Sequence, residues 1–225
     1  MTPSDSPIVT GLPAYGMSGK LFHAPFLALH PGFELRAVVE RHTPRMAADY
    51  PSVVSYSTTE ALLADPAIEL VIVNTPNDTH YDLTRQALLA GKHVLVEKPV
   101  ATTVVEWQAL TALAGEQERQ LLAYQNRRWD TDFGAVRRIV ASGQLGRLVE
   151  VHFRFDRYRP AIGPKVFKET DRPGAGLLFD LGSHLVDQAI SLFGKPLSVA
   201  KTLGRHRYGT LVPDYFTLQL RYPTT

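Results

Sequence analysis

The chain has 225 residues, 44% of them apolar and 20% charged, enough for one large domain or two modest ones with buried cores. It contains no cysteine, which excludes disulfides, thiolate metal centres and a cysteine nucleophile. The net charge of +2 is uneven, because residues 1–122 carry 8 basic against 13 acidic side chains and residues 123–225 carry 16 against 9. The basic residues are scattered among predicted strands, not gathered in a run. They are read as complementing the acidic half or a phosphate-bearing ligand, and nucleic acid is not expected as a partner. No run approaches the roughly 18 apolar residues of a membrane span. Residues 1–6 lack the basic and apolar regions of a secretory signal and read as a disordered lead-in, so a cytoplasmic address is expected.

In chain order, short β-branched runs alternate with helical patterns from Ile8 to about Ala123, which predicts βαβ units and a doubly wound parallel sheet. The candidate strands are 8–11, 35–39, 53–55, 70–73, 93–96 and 121–123. Thr43-Pro44 reads as an N-cap and first helical residue for a helix through Ala48. Ser57 to Glu60 opens another, stopped near Asp65-Pro66, and Asp78 to Ala90 a third, capped by Asp78 and ended by Gly91. The pattern then changes. A helix from about Asp130 to Ser142 precedes an alternating strand at Leu148–Phe155 and a Pro/Gly-rich loop over 159–176. A helix over 183–193 closed by Gly194, then strands near 197–203 and 215–222, complete an α+β pattern. The expected organisation is a nucleotide domain over 1–123 and an α+β domain over 124–225 on an open, mostly antiparallel sheet.

Ala14-Tyr15-Gly16-Met17-Ser18-Gly19 follows the first strand and matches the dinucleotide fingerprint with alanine in the first glycine position. The middle glycine lets the backbone approach a pyrophosphate, and the last allows tight helix–strand packing. Alanine is awkward if that turn needs positive φ, and Pro13 removes a donor. Glu40, at the end of the second strand, is placed to hold the adenosine ribose of NAD; Arg41 and Arg45 are placed to hold the 2′-phosphate of NADP, and surface charge is the plain alternative. Thr75-Pro76-Asn77 and His80 follow the fourth strand, where ligands of parallel sheets bind. Lys98 follows the fifth at the same edge and can hydrogen-bond a substrate hydroxyl. Asp180 and His184, four apart, share a side if helical, so the carboxylate can orient the imidazole. His184 with Asp187 is too small a set for a metal, and none is expected.

These strings together resemble the glucose–fructose oxidoreductase and inositol 2-dehydrogenase (Gfo/Idh/MocA) family over nearly the whole chain. The resemblance rests on the glycine loop, Thr75-Pro76-Asn77 with His80, Glu97-Lys98-Pro99, and Gly174-Ala175-Gly176 leading to Asp180-Leu181-Gly182-Ser183-His184. Gly19 to Pro25, Asn126 to Asp130 and Phe155 to Pro160 are similar to the branch of NADP-dependent scyllo-inositol dehydrogenases. The resemblance implies a Rossmann domain and a C-terminal α/β domain whose sheet makes a dimer interface. It implies hydride transfer between NAD or NADP, the latter favoured, and a secondary alcohol of a cyclitol or sugar. His184 would take the hydroxyl proton, Asp180 would support it and Lys98 would hydrogen-bond the same oxygen. Gly11, Ala14, Tyr15, Gly16, Met17, Ser18, Gly19 and Glu97 would meet the cofactor; Asn126 and Arg127 would approach nicotinamide or substrate, and Arg157 and Tyr158 would line the substrate wall. Family members continue past Thr225, so an incomplete second domain with an unpaired sheet edge is expected. The alternative is a nucleotide- or sugar-binding protein that keeps the fold without the chemistry.

Overall fold

The computed structural model describes residues 6–163 and 169–223. The lead-in expected at the N-terminus falls largely outside these residues, as does the centre of the 159–176 loop. Two compact units are present, Met1–Tyr124 and Gln125–Thr225.

The first unit is a six-stranded parallel sheet in the order β3-β2-β1-β4-β5-β6. Its strands are β1 Ile8–Leu12, β2 Phe33–Val39, β3 Val54–Tyr56, β4 Leu70–Val73, β5 His93–Glu97 and β6 Leu121–Tyr124. The central strands are apolar because helices cover both faces. Val71, Val73, Val94 and Val96 point to one face, where they pack with Leu62 and Leu63 of α3 (Thr59–Ala64), Ala87 and Leu88 of α4 (His80–Leu89), and Leu110 and Ala114 of α5 (Val104–Glu116). Leu12, Leu35, Val38 and Ile72 point to the other, against Ala24 and Leu27 of α1 and Met46 of α2 (Met46–Asp49). Helix α1 opens as a π-type turn over Gly19–His23 and continues as an α-helix over Ala24–Leu29.

Local chemistry explains most element ends. Thr58 Oγ1 accepts from Ala61 N and starts α3. Thr103 and Glu106 form a reciprocal capping box at α5. Gly91, at φ 71°, closes α4 in the left-handed region. Two expectations fail here. Helix α2 starts at Met46, not at Thr43-Pro44, because the Glu40 carboxylate reaches from the end of β2 and caps it from the sheet side. The segment before α4 begins as a 3-10 turn over Asn77–Thr79 with Pro76 at its N-cap, so Asp78 lies inside the turn and not at the cap.

The second unit contains α6 (Thr131–Ala141), a π-type turn over Leu178–Gly182 leading into α7 (Ser183–Phe193), and an antiparallel pair, β7 (Ser198–Gly204) and β8 (Tyr215–Arg221). Gly194, at φ 73°, ends α7. The antiparallel sheet is thus two-stranded among the described residues. Leu148–Phe155 is not a strand: it finds no ladder partner there, and Val149 is 87% exposed. Alternation alone does not make a strand when no neighbour supplies hydrogen bonds. Arg207 braces this unit, pairing with Glu169 at 2.8 Å and Asp214 at 2.9 Å.

Candidate functional site

The first unit gathers the predicted cofactor residues other than Asn126 and Arg127 around the carboxyl ends of β1, β2, β4 and β5. Gly19 lies beneath the glycine loop. A Cβ there would sit 2.6 Å from the Ala14 carbonyl oxygen and 2.8 Å from Asn74 Nδ2, so only glycine lets α1 pass this close. Asn74 Nδ2 donates to the same carbonyl at 2.9 Å, tying the loop after β4 to the loop after β1. Gly16 is the opposite case: nothing lies within 4 Å of its Cβ position, which leaves its backbone open to an incoming ligand. Gly11, in β1, faces Ile68 and Leu62 at 3.0–3.3 Å and serves packing. Glu118 is the one non-glycine residue with positive φ among the described residues. Ala14 therefore carries no backbone strain, and the departure from the fingerprint costs the turn nothing. This open loop above a closely packed glycine suits a dinucleotide pyrophosphate.

Tyr15 is nearly buried, and its hydroxyl donates to Asp49 Oδ2 at 2.7 Å. Burial first, and then the Asp49 carboxylate, push its phenol well above the usual tyrosine range. Lys20 donates to the same carboxylate oxygen at 2.7 Å, and the Lys20 and Tyr15 bonds hold the Asp49 carboxyl below the usual range. Helix α2 thus links two candidate elements. Its end anchors Tyr15, while its start is capped by Glu40, which accepts from Arg45 N at 2.7 Å, Met46 N at 3.2 Å and Ser55 Oγ at 2.9 Å. Arg41 and Arg45 are exposed, as are Met17 and Gly16.

His80 is fully buried. Its Nδ1 lies 2.7 Å from the Pro99 carbonyl oxygen and its Nε2 2.9 Å from that of Thr75. Thr75 Oγ1 and Thr79 Oγ1 are 2.6 Å apart, and Thr79 Oγ1 donates to the Pro76 carbonyl, which folds the loop back on α4. Glu97 does not turn outward. One of its oxygens takes hydrogen bonds from Ser18 Oγ at 2.5 Å and His23 Nε2 at 2.9 Å, and His23 packs against the Tyr124 ring at 4.6 Å. Burial alone would raise this carboxyl. The bonds from His23 and Ser18, and the charges of His23 and Lys98, outweigh it and hold the group below its usual value. Lys98 follows, half-buried, with a cis peptide to Pro99.

In the second unit, Asp180 lies in the π-type turn and His184, 6% exposed, in the first turn of α7. The two are four residues apart in one continuous helical segment and share a side of it. One turn after His184, Gln188 Nε2 donates to the Arg127 carbonyl at 3.3 Å. Asp187 pairs with Arg128. Asn126 and Arg127 begin the 3-10 turn Asn126–Trp129 that these bonds dock on α7. The Arg127 guanidinium lies 5.3 Å from the Phe155 ring, and both line a groove of about 250 Å³ with Arg154, Asp156 and Arg157. Tyr158 is 94% exposed. Lys98 belongs to the first unit; Asp180 and His184 belong to the second. The sequence reading gave no role to His23, Asp49 or Gln188, and took Asn74 only as part of the loop after the fourth strand. His23 lies inside a quoted string and Asn74 immediately before one, but their contacts join residues 74 and 60 positions apart, a distance no local pattern encodes.

Comparison with known proteins agrees with this geometry. Residues 10–125 match the model of an oxidoreductase family with an NAD-binding Rossmann fold, and residues 133–225 match the C-terminal domain model of the GFO/IDH/MocA proteins. The chain is 42% identical over 216 residues to the uncharacterized oxidoreductase YdgJ of Escherichia coli, covering 96% of this chain and 62% of the relative. It is 36% identical to the scyllo-inositol 2-dehydrogenase (NADP(+)) IolW of Bacillus subtilis, covering 96% and 60%. An oxidoreductase from Bacillus cereus superposes with a TM-score of 0.86 at 34% identity, covering 96% of this chain and 62% of that one. The chain therefore spans about three fifths of the length of the curated relatives it matches. The glycine loop, the parallel sheet that carries it and the matches across both units together place this chain in the GFO/IDH/MocA family of oxidoreductases with an NAD-binding Rossmann fold.

Proposed function

We propose that the chain is the nucleotide-binding and chemical portion of a dehydrogenase acting on a secondary alcohol of a cyclitol or sugar. The observation that carries this reading is the glycine loop, closely packed at Gly19 and open at Gly16, on the same sheet edge as the Lys98 loop. Bound nicotinamide would accept or return the hydride. In this reading His184 takes the proton from the reacting hydroxyl, Asp180 orients the imidazole, and Lys98 hydrogen-bonds the same oxygen. Asn126 and Arg127 approach nicotinamide or substrate, and Arg157 and Tyr158 wall the substrate.

NADP is the preferred dinucleotide in this proposal. Glu40 already accepts hydrogen bonds from the start of α2 and from Ser55, so a ribose diol must compete for it, whereas Arg41 and Arg45 are exposed beside it. The NADP-dependent relative supports the same choice. Self-association through the sheet that contains β7 and β8 is part of the proposal, as is a cytoplasmic address. The test is titration with NADP and with NAD, followed by a polyol and sugar screen at the nicotinamide absorbance band. Tighter NADP binding, weakened about tenfold or more in Arg41→Ala with NAD binding unchanged, is expected. Turnover that persists in Lys98→Ala and His184→Ala would remove both from the mechanism. Dinucleotide binding without turnover on any substrate would favour a binding protein that keeps the fold.

A further inference from the structure

Lys98 stands between two anchors that the proposed chemistry does not use. On its amino side, the Glu97 carboxylate is held by Ser18 of the glycine loop and His23 of the helix that follows it. On its carboxyl side, the Pro99 carbonyl meets His80 Nδ1 at 2.7 Å, and the other nitrogen of the same ring meets the Thr75 carbonyl at 2.9 Å. The two imidazoles are 3% and 0% exposed. Burying a polar ring costs free energy unless its nitrogens are bonded, so packing alone would favour an apolar side chain at either place. Both neighbours of His80 are carbonyl oxygens, which only accept.

We propose that His23 and His80 are positioning residues for Lys98, fixing the loop after β5 to α1 on one side and to the loop after β4 on the other. The need is physical. A lysine ammonium rides on a long flexible stem, and a reacting group displaced by about 1 Å can cost a hundredfold in rate. A fixed backbone removes one source of that freedom. The same clamp joins the Lys98 loop to the two loops read as cofactor-binding, so the ammonium and the dinucleotide share one frame. The inference rests on the proposed role of Lys98.

The test uses the full 225-residue chain with NADP and a panel of polyols. His23→Leu and His80→Gln are each expected to lower kcat about tenfold to a hundredfold while KM for NADP moves less than about threefold. His23→Gln keeps a donor toward Glu97 and should recover most of the loss. In a Lys98→Ala background neither His23→Leu nor His80→Gln should lower turnover further, since both act through the missing ammonium. Losses that multiply in that background would overturn the proposal, as would wild-type kcat in both single variants. Should the unsubstituted chain turn over no polyol, the functional reading fails, and amide hydrogen exchange decides the clamp alone. Protection at Lys98, Val100 and Ala101 reduced about tenfold in both variants, with the thermal transition retained, supports it; unchanged protection ends it.

Discussion

Gly16 and Gly19 are three residues apart in one loop, yet they do different work, and the difference is measurable. Gly19→Ala puts a methyl against a backbone carbonyl at 2.6 Å, which nothing flexible can relieve. A loss of about 1–3 kcal/mol in stability is expected, read from denaturant unfolding, with dinucleotide affinity falling as α1 shifts. Gly16→Ala meets nothing in the protein. It should unfold like the parent while its affinity for NADP drops about tenfold or more, because the methyl would stand in the path proposed for the pyrophosphate. Glu97 offers a pH test. Its folded carboxyl lies below its unfolded value, so its contribution is fully present above the ordinary carboxylate range and is lost as pH falls through the lower folded value. Glu97→Gln should therefore be destabilised at pH 7, with the deficit shrinking below about pH 4. A deficit constant across that range would mean the charge contributes nothing. The close packing at Gly19 was legible from spacing alone, because a strand, a tight loop and a helix start are local events. Glu97 was read as facing the cofactor; its bond to Ser18, 79 residues away, belongs to the packing of α1 on the sheet and leaves no trace in sequence spacing.

Elements were legible where their ends are chemically marked. Thr58 and Gly91 announce their helix ends, and the apolar runs of β4 and β5 announce strands covered on both faces. The start of α2 was misread because its cap is a carboxylate from the preceding strand and not the adjacent threonine. Leu148–Phe155 was misread because a strand is a relation between segments, and the pattern within one segment cannot supply the other. The capping box of α5 gives an element-level prediction. Thr103→Ala should cost about 1 kcal/mol, seen in chemical denaturation, since Thr103 Oγ1 accepts from Glu106 N at 3.2 Å. Lys92 gives a larger one. Its ammonium is nearly buried, donating at 2.8 Å to the carbonyls of Asp65 and Ile68 where α3 gives way to β4. Lys92→Met would leave two carbonyls without that donor, and a loss of roughly 1–3 kcal/mol is expected.

Across the whole molecule the two units differ in how much apolar surface they bury. The first has a cluster on each face of its sheet, whereas Phe133, Leu181, Ala189 and Val212 are the buried apolar side chains among the described residues of the second. A two-stranded antiparallel pair adds little independent stability. Limited proteolysis should cut first within 148–163 and leave a resistant fragment near residues 6–124, identified by mass; simultaneous loss of both units would show that they unfold as one. A final consequence concerns the openings of α1 and α7. A π-type turn is an ordinary helix that has taken in one surplus residue, so these openings absorb a change of tally without turning what comes next. Excising Leu21 would let that opening close as an ordinary α-helical turn, with the rest of α1 keeping its register on the sheet. Across descendants of such a chain, loss of a single codon at these two openings would be borne more easily than one in the regular turns that follow.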